Sequence, residues 1–492
     1  MNYSTPEKEG IRSSYIKEYV EKLEEYNLSS HSLVIMRHGK VIFENYWAPF
    51  DKDYIHRMYS VTKSFVALAI GFLEQDGLIN LDDKISKYFP EELKKQPNPY
   101  MHNQTIRHML LMSTAIPVRY WLYPRIEDRV QFYFENDTKQ YRPSGTTFEY
   151  DSEGSFIMGA LVERVTGKEL MEYLREKCLD KIGFSKEAYM LKCPGGHSWG
   201  DSALMCTSQD LAKAAQFTLN NGKWDGEQLL NEEFVKTATS KLIDNNVEGK
   251  VSHSTFGYGY QFWRTYDNSY FFNGMGCQFA ICTPDKDMVM VYTGDNQSLA
   301  PDLAKDVVIR NYFEMVVRKA EECELRDNGE NNELTAYAKD LKLATARGDK
   351  YKPMQDKING VTYKIDENQT GITEWKLCFD GDKGKLCYTN AQGYKEIPFG
   401  MCENVFAEFP QEGYADEIGS VAGDRLYKCA ASAAWVMDNQ LFIKVQIIDK
   451  YFGRLGITVG FNEDGQMGVY MRKIAEDFLD EYTGYLCGTP QS

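Results

Sequence analysis

Apolar and polar positions alternate along this chain in distinct regimes. Ile16, Tyr19, Val20 and Leu23 fall at helical spacing, which predicts an amphipathic helix over Pro6–Tyr26. Ser32–Ile35 and Val41–Tyr46 are β-rich runs around Arg37-His38-Gly39-Lys40, the signature of a hairpin, with His38 as a solvated residue at its tip. Phe65–Ile70 is apolar all round, which marks a central helix covered on every side, and Gly77 is placed to end it. Further helices are predicted over Thr105–Met112, Ser155–Thr166, Lys168–Leu179, Ser208–Asn221 (with Ser208 as N-cap) and Leu303–Ala320. Tyr120–Asp137 is aromatic without clean periodicity and reads as an irregular segment overhanging a site.

From Phe256 the period shortens. Tyr258–Arg264, Tyr270–Phe272, Gln278–Cys282 and Met288–Thr293 read as antiparallel strands, with Pro284–Asp287 as a turn. Joined to the N-terminal hairpin they give one antiparallel sheet flanked by helices, an α+β architecture. A charged stretch, 321–350, reads as a helical linker. Beyond Tyr351 short alternating runs (Val361–Ile365, Trp375–Phe379, Lys385–Tyr388, Gln440–Ile448, Arg454–Phe461, Met467–Met471) are punctuated by Asn-Gly and Asp-Gly pairs. They predict a separate small all-β domain over 351–492, a meander or barrel.

Composition narrows the field. A net charge of −16 argues against a nucleic-acid surface or a polybasic membrane anchor. The eleven cysteines are odd in number and form no CxxC pair, so neither a disulfide framework nor a zinc site is expected. The seven histidines show no HxxxH or HxH spacing, so no metal and no cofactor are expected. Met1–Arg12 has no apolar stretch typical of a signal peptide, and the longest uncharged apolar run, Ser64–Leu73, is too short to cross a bilayer. A cytoplasmic protein without a membrane partner is the expectation; a homo-oligomer stays open.

Candidate chemistry begins at Tyr59-Ser60-Val61-Thr62-Lys63-Ser64. A serine and a lysine three residues apart on a helix share one face, which brings a nucleophile beside its base. The spacing is weakly informative, because about two such pairs are expected by chance in a chain of this length. Ser14–Lys17 is a second one, in a charged helix. What separates Ser60 is the apolar helix behind it, whose dipole favours negative charge at its start. Taken alone, Ser60 reads as a helix cap, Lys63 as a solvated helix lysine and Tyr150 as a half-buried strand or loop tyrosine.

The order of motifs resembles the serine β-lactamase and penicillin-binding-protein-like superfamily, on the branch of class C β-lactamases, D-aminopeptidases, esterases and 6-aminohexanoate-oligomer hydrolase. The resemblance rests on His31–Lys40, Met58–Phe65, His108–Thr114, Pro143–Ser152, Thr207–Ala212 and Phe256–Trp263, and covers residues 1–320. It implies a β-lactamase-like domain with a helical subdomain. It implies Ser60 as the acylated nucleophile, Lys63 as the amine taking its proton, and Tyr150 of Tyr150-Asp151-Ser152 as a second acid or base. Backbone N–H groups of Ser60 and Met275 are the implied oxyanion donors, with Ser152, Asn273, Gly274 and Gly276 beside the substrate. The third motif, Lys-Thr-Gly in β-lactamases, falls on Phe272-Asn273-Gly274, so the lysine is missing. Gly274-Met275-Gly276-Cys277-Gln278 resembles the aminohexanoate-hydrolase branch. Cys277 reads as a small buried residue, and His197, Trp199, Tyr120, Trp121 and Tyr123 as either cleft lining or ordinary core.

The implied activity is hydrolysis of a small-molecule ester or amide through an acyl-enzyme. Two alternatives stay open: a β-lactamase or D-amino-acid peptidase with another carboxylate anchor, and an idle ligand-binding or sensor protein.

Overall fold

Seven strands form the sheet on which the first half of the chain is built. In chain order they are β1 (Asn2–Tyr3), β2 (Ser30–Arg37), β3 (Lys40–Tyr46), β4 (Trp263–Arg264), β5 (Tyr270–Gly274), β6 (Gln278–Thr283) and β7 (Met288–Gly294). They lie side by side as β1-β3-β2-β7-β6-β5-β4. The structure is a computed structural model. It describes residues 1–117, 126–135, 141–246, 249, 252–297, 301–414, 425–475 and 478–491. The chain divides into two compact units, one drawn mainly from residues 1–342 and the other mainly from 343–492.

In the first unit the helices that matter are α1 (Ser13–Glu25), α2 (Thr62–Gln75), α3 (Arg129–Glu135), α4 (Ser152–Thr166), α5 (Ser208–Leu219) and α6 (Pro301–Met315). Every residue of β2 is buried, because both faces of the sheet are covered. On one face Ile16, Tyr19 and Val20 of α1 and Val308, Tyr312 and Phe313 of α6 join Leu33, Ile35, Phe279, Ile281 and Met290 in one core. On the other, Tyr270 donates to Thr218 of α5 at 3.0 Å, and Phe65 of α2 packs on Phe272 at 6.1 Å. All residues of α2 from Thr62 to Leu73 are buried, as its all-round apolar pattern requires.

The structure corrects several sequence readings. The first helix starts at Ser13, after a 3-10 turn over Glu7–Glu9 whose C-cap is the left-handed Gly10. The sheet has one parallel pair, β1 on β3. The predicted strand Tyr258–Arg264 shrinks to β4, since Gln261 takes φ +63 and breaks the extension. The cap of α5 is Thr207, not Ser208: Thr207 Oγ1 accepts from Asp210 N and Asp210 Oδ2 accepts from Thr207 N, a reciprocal capping box. Within the stretch read as irregular, Arg129–Glu135 is helical. Tyr120, Trp121 and Tyr123 lie outside the described residues. His38 holds the hairpin tip at φ +50 and is tied through Nδ1 to Glu9 at 2.8 Å.

The second unit is a closed barrel. Its nine strands are β8 (Thr362–Ile365), β9 (Glu374–Asp380), β10 (Lys383–Asn390), β11 (Gly393–Met401), β12 (Lys428–Met437), β13 (Gln440–Ile448), β14 (Phe452–Phe461), β15 (Met467–Ile474) and β16 (Gly484–Pro490). β16 pairs back on β8, and a parallel contact of Gly400–Met401 with Ser432–Ala433 joins β11 to β12. An additional strand, Val405–Glu408, pairs with β12. Alternate residues such as Trp375 and Leu377, or Leu455, Ile457 and Val459, are buried, as a filled barrel demands. Among the described residues no helix is long and apolar enough to cross a membrane.

Candidate active site

The residue before Ser60 sets its geometry. Tyr59 takes φ +47, a left-handed conformation uncommon for a side chain of its size, and Tyr59–Val61 form a 3-10 turn leading into α2. Ser60 thus sits just ahead of the α-helix rather than within it. The turn is tied at both ends to the strand Leu204–Cys206. Met58 N donates to Leu204 O at 2.9 Å, and Leu204 N donates to Thr62 Oγ1 at 3.0 Å. His56–Arg57 pair with Met205–Cys206 in the same ladder.

This attachment brings Asp201 to the site, three residues ahead of that strand. Lys63 Nζ donates to Ser60 Oγ at 2.9 Å and to the Asp201 carbonyl at 2.7 Å. The Asp201 carboxylate approaches the same ammonium at 3.9 Å. Both side chains are 2% exposed, so little water screens the pair. Burial pushes the Asp201 carboxyl above its ordinary range, and the charges of Lys63, Arg129 and Arg57 oppose that rise only in part. The Ser14–Lys17 pair shows the contrast: Ser14 donates to Glu330 at 2.8 Å and exposed Lys17 to Glu21 at 2.5 Å.

Tyr150 comes to Lys63 by its ring. The ammonium lies 5.1 Å from the ring centroid, within cation–π range, and the ring packs on Trp263 at 5.5 Å. Among the described residues its hydroxyl makes no hydrogen bond to Ser60 or Lys63. Asp151 caps α4: its carboxylate accepts from Gly154 N at 3.0 Å and from Thr114 Oγ1 at 2.8 Å. Ser152 is the first residue of α4 and is buried.

The strand side closes against the Ser60 turn. A Cβ on Gly274 would collide with the Met58 carbonyl and crowd Val61, so β5 reaches the Ser60 turn only because residue 274 is glycine. Beyond it Met275, Gly276 and Cys277 reverse the chain into β6, with φ +75 and +72 at the last two. Gln278 fixes this turn, its amide donating to Met275 O at 2.9 Å and to Gly294 O at 2.6 Å. Asn273 is half-buried opposite Phe279. Phe272, which the sequence reading set at the position of the missing lysine, is fully buried between Phe65 and Phe262. Cys277 is buried in the core behind the sheet.

His197 bonds to Glu163 of α4 at 2.6 Å, and Trp199 is fully buried. Asp201 and Gln261 are the residues the sequence did not point to. Gln261 accepts from Ser155 Oγ at 2.7 Å and donates to the carbonyls of Met109 and Leu110, while its own carbonyl receives Ser64 Oγ at 2.7 Å. The available sign of Asp201 is its isolation, a single charge between His197 and Asp210 in an otherwise uncharged stretch.

The Beta-lactamase family model matches residues 14–310. The chain belongs to the beta-lactamase family. An uncharacterized protein of Alkalihalophilus pseudofirmus is 24% identical over 257 residues, 47% of this chain and 70% of that one. A 6-aminohexanoate-dimer hydrolase of Paenarthrobacter ureafaciens is 22% identical over 223 residues, which take in 42% of this chain and 56% of the hydrolase, under two thirds of its length. Among solved structures, a penicillin-binding protein homolog from Caulobacter crescentus superposes with a TM-score of 0.51 at 16% identity, covering 62% of this chain and 97% of that one. At that identity the likeness shows the fold alone.

Proposed function

We propose that the chain hydrolyses an ester or amide of a small molecule through an acyl-enzyme on Ser60. The observation that carries this is the 2.9 Å contact between Ser60 Oγ and a buried Lys63 Nζ. A serine hydroxyl is a poor nucleophile without an adjacent base. The Lys63 amine, held by the Asp201 carbonyl, takes the Ser60 proton as Oγ attacks the carbonyl carbon. The backbone N–H groups of Ser60 and Met275 then meet the oxyanion, each such donor contributing on the order of 3 kcal/mol to the transition state. Tyr150, beside the same ammonium, passes a proton to the leaving group. Water releases the acyl group by the reverse sequence. Ser152, Asn273, Gly274 and Gly276 line the path of the substrate.

Phe272 directs the preference. A buried ring where β-lactam-opening relatives carry lysine leaves that strand position without a cation, so esters and small amides are favoured over β-lactams. Intact-mass measurement after fluorophosphonate treatment is the test. One adduct that vanishes in Ser60→Ala supports the reading. No adduct, under conditions that label a control serine hydrolase, favours an idle ligand-binding protein. Rapid nitrocefin turnover by the pure protein would overturn the substrate preference.

A further inference from the structure

The ladder of β5 and β6 stops where Gly274 pairs with Gln278, and Met275, Gly276 and Cys277 complete the reversal with two left-handed residues in succession. The ladder between β6 and β7 ends one residue away, at Phe279 opposite Tyr292. From there the Gln278 side chain takes over. Its amide nitrogen donates to Gly294 O at 2.6 Å and its oxygen accepts from Gly294 N at 3.3 Å, the exchange that a strand residue makes through its backbone. The second N–H of the same amide donates to Met275 O at 2.9 Å. Gln278 is fully buried, so these three contacts are shielded from water.

A second tie comes from the residues after β7. Asn296 N donates to Gly276 O at 3.0 Å, while the Asn296 side-chain oxygen accepts from Ser29 N at 2.8 Å. The Met275 N–H donates to no acceptor among the described residues, which leaves it open to a ligand oxygen. Gly274, one residue before it, lies against the Met58 carbonyl at the start of the Ser60 turn. Any shift of the Met275 turn on β7 therefore moves one backbone N–H relative to the other. An oxyanion donor acts within about 2.7–3.1 Å of the oxygen, and a misplacement of about 1 Å costs roughly 10²-fold in rate.

We propose that Gln278 is the positioning residue of the oxyanion site: its side-chain amide holds the Met275 turn where the N–H groups of Met275 and Ser60 meet one oxygen. Gln278 touches no reacting atom and acts through the backbone it clamps. This rests on the hydrolase reading above and adds to it the side chain on which the second donor depends.

Two variants of the full chain test it. Gln278→Met keeps the length of the side chain and removes its donors and acceptor. Gln278→Glu keeps the shape and sets an oxygen against both carbonyls. On a 4-nitrophenyl ester each should lower kcat at least about tenfold with KM within about threefold of wild type, the split of a contact made in the transition state alone. Affinity for phenylboronic acid, whose serine adduct is tetrahedral, should fall by a similar factor. Thr218→Val removes a buried hydrogen bond from Tyr270, at the far end of β5, and controls for lost stability. It shares no partner with Gln278, so its kcat should stay within about threefold of wild type. Gln278 variants whose kcat matches that of Thr218→Val overturn the proposal. If neither variant folds, hydrogen exchange of the wild-type chain decides. The amides of Gly294 and Asn296, which donate to the Gln278 side chain and to Gly276, should exchange as slowly as those of β7; exchange at the rate of an exposed loop overturns the clamp. A wild-type chain that hydrolyses no ester and takes no fluorophosphonate overturns the hydrolase reading instead, so the two failures are told apart.

Discussion

Lys63 Nζ lies 2.9 Å from Ser60 Oγ, with the lysine almost wholly removed from water. A positioned base of this kind contributes roughly 10²–10⁴-fold to rate. Lys63→Met keeps the length of the side chain and removes the amine. Its kcat/KM on a 4-nitrophenyl ester should fall by about that factor. Retention of activity within about tenfold would assign the base elsewhere.

Tyr150 offers two separable contributions, a ring over the ammonium and a hydroxyl. Tyr150→Phe keeps the packing on Trp263 and removes only the hydroxyl. If the hydroxyl carries a proton, kcat should drop by about 10²-fold while the melting temperature holds. Unchanged kcat would leave Tyr150 with the ring's role alone.

Asp201 makes stability depend on pH. Burial raises its folded pKa, so between the ordinary aspartate value, about 3.9, and that raised value the folded state binds more protons than the unfolded one. Stability from this group therefore falls as pH rises through that window. Asp201→Asn cannot ionise and lacks the step. Thermal unfolding from pH 4 upward should show the variant gaining on the wild type as pH increases; a constant difference would refute the assignment.

Gly274 is where β5 and the Ser60 turn meet. Gly274→Ala sets a methyl group against the Met58 carbonyl, a clash with backbone that no rotamer change relieves. A loss of about 2 kcal/mol in chemical denaturation is expected, together with reduced esterase activity. A fully stable, fully active variant would show that the two backbones are not in contact.

The Ser60–Lys63 contact was legible in the sequence because it is local, three residues apart and backed by the apolar run Phe65–Ile70. Asp201 was not, because it reaches Lys63 from 138 residues away, through a ladder that pattern alone does not register. The Ser60 turn was read as helix since apolar spacing does not reveal the left-handed Tyr59 ahead of it. In the barrel, β12 was missed for a different reason. Its sequence, KCAASAAWVM, is alanine-rich, and alanine by propensity favours helix. All residues from Cys429 to Trp435 are buried, so both faces of this strand are covered and the alternation that marks a half-buried strand is absent.

The pairing of β16 with β8 also fixes an order in time. On a growing chain every strand of the catalytic sheet is available once Gly294 has emerged, whereas the barrel keeps an unpaired edge at β8 until Gly484–Pro490 are made. Contacts this distant in sequence form late and leave strand edges open to other chains meanwhile. A chain shortened to residue 483 should aggregate during expression, and one ending at 342 should not; light scattering of the two would show whether the last strand is what silences that edge.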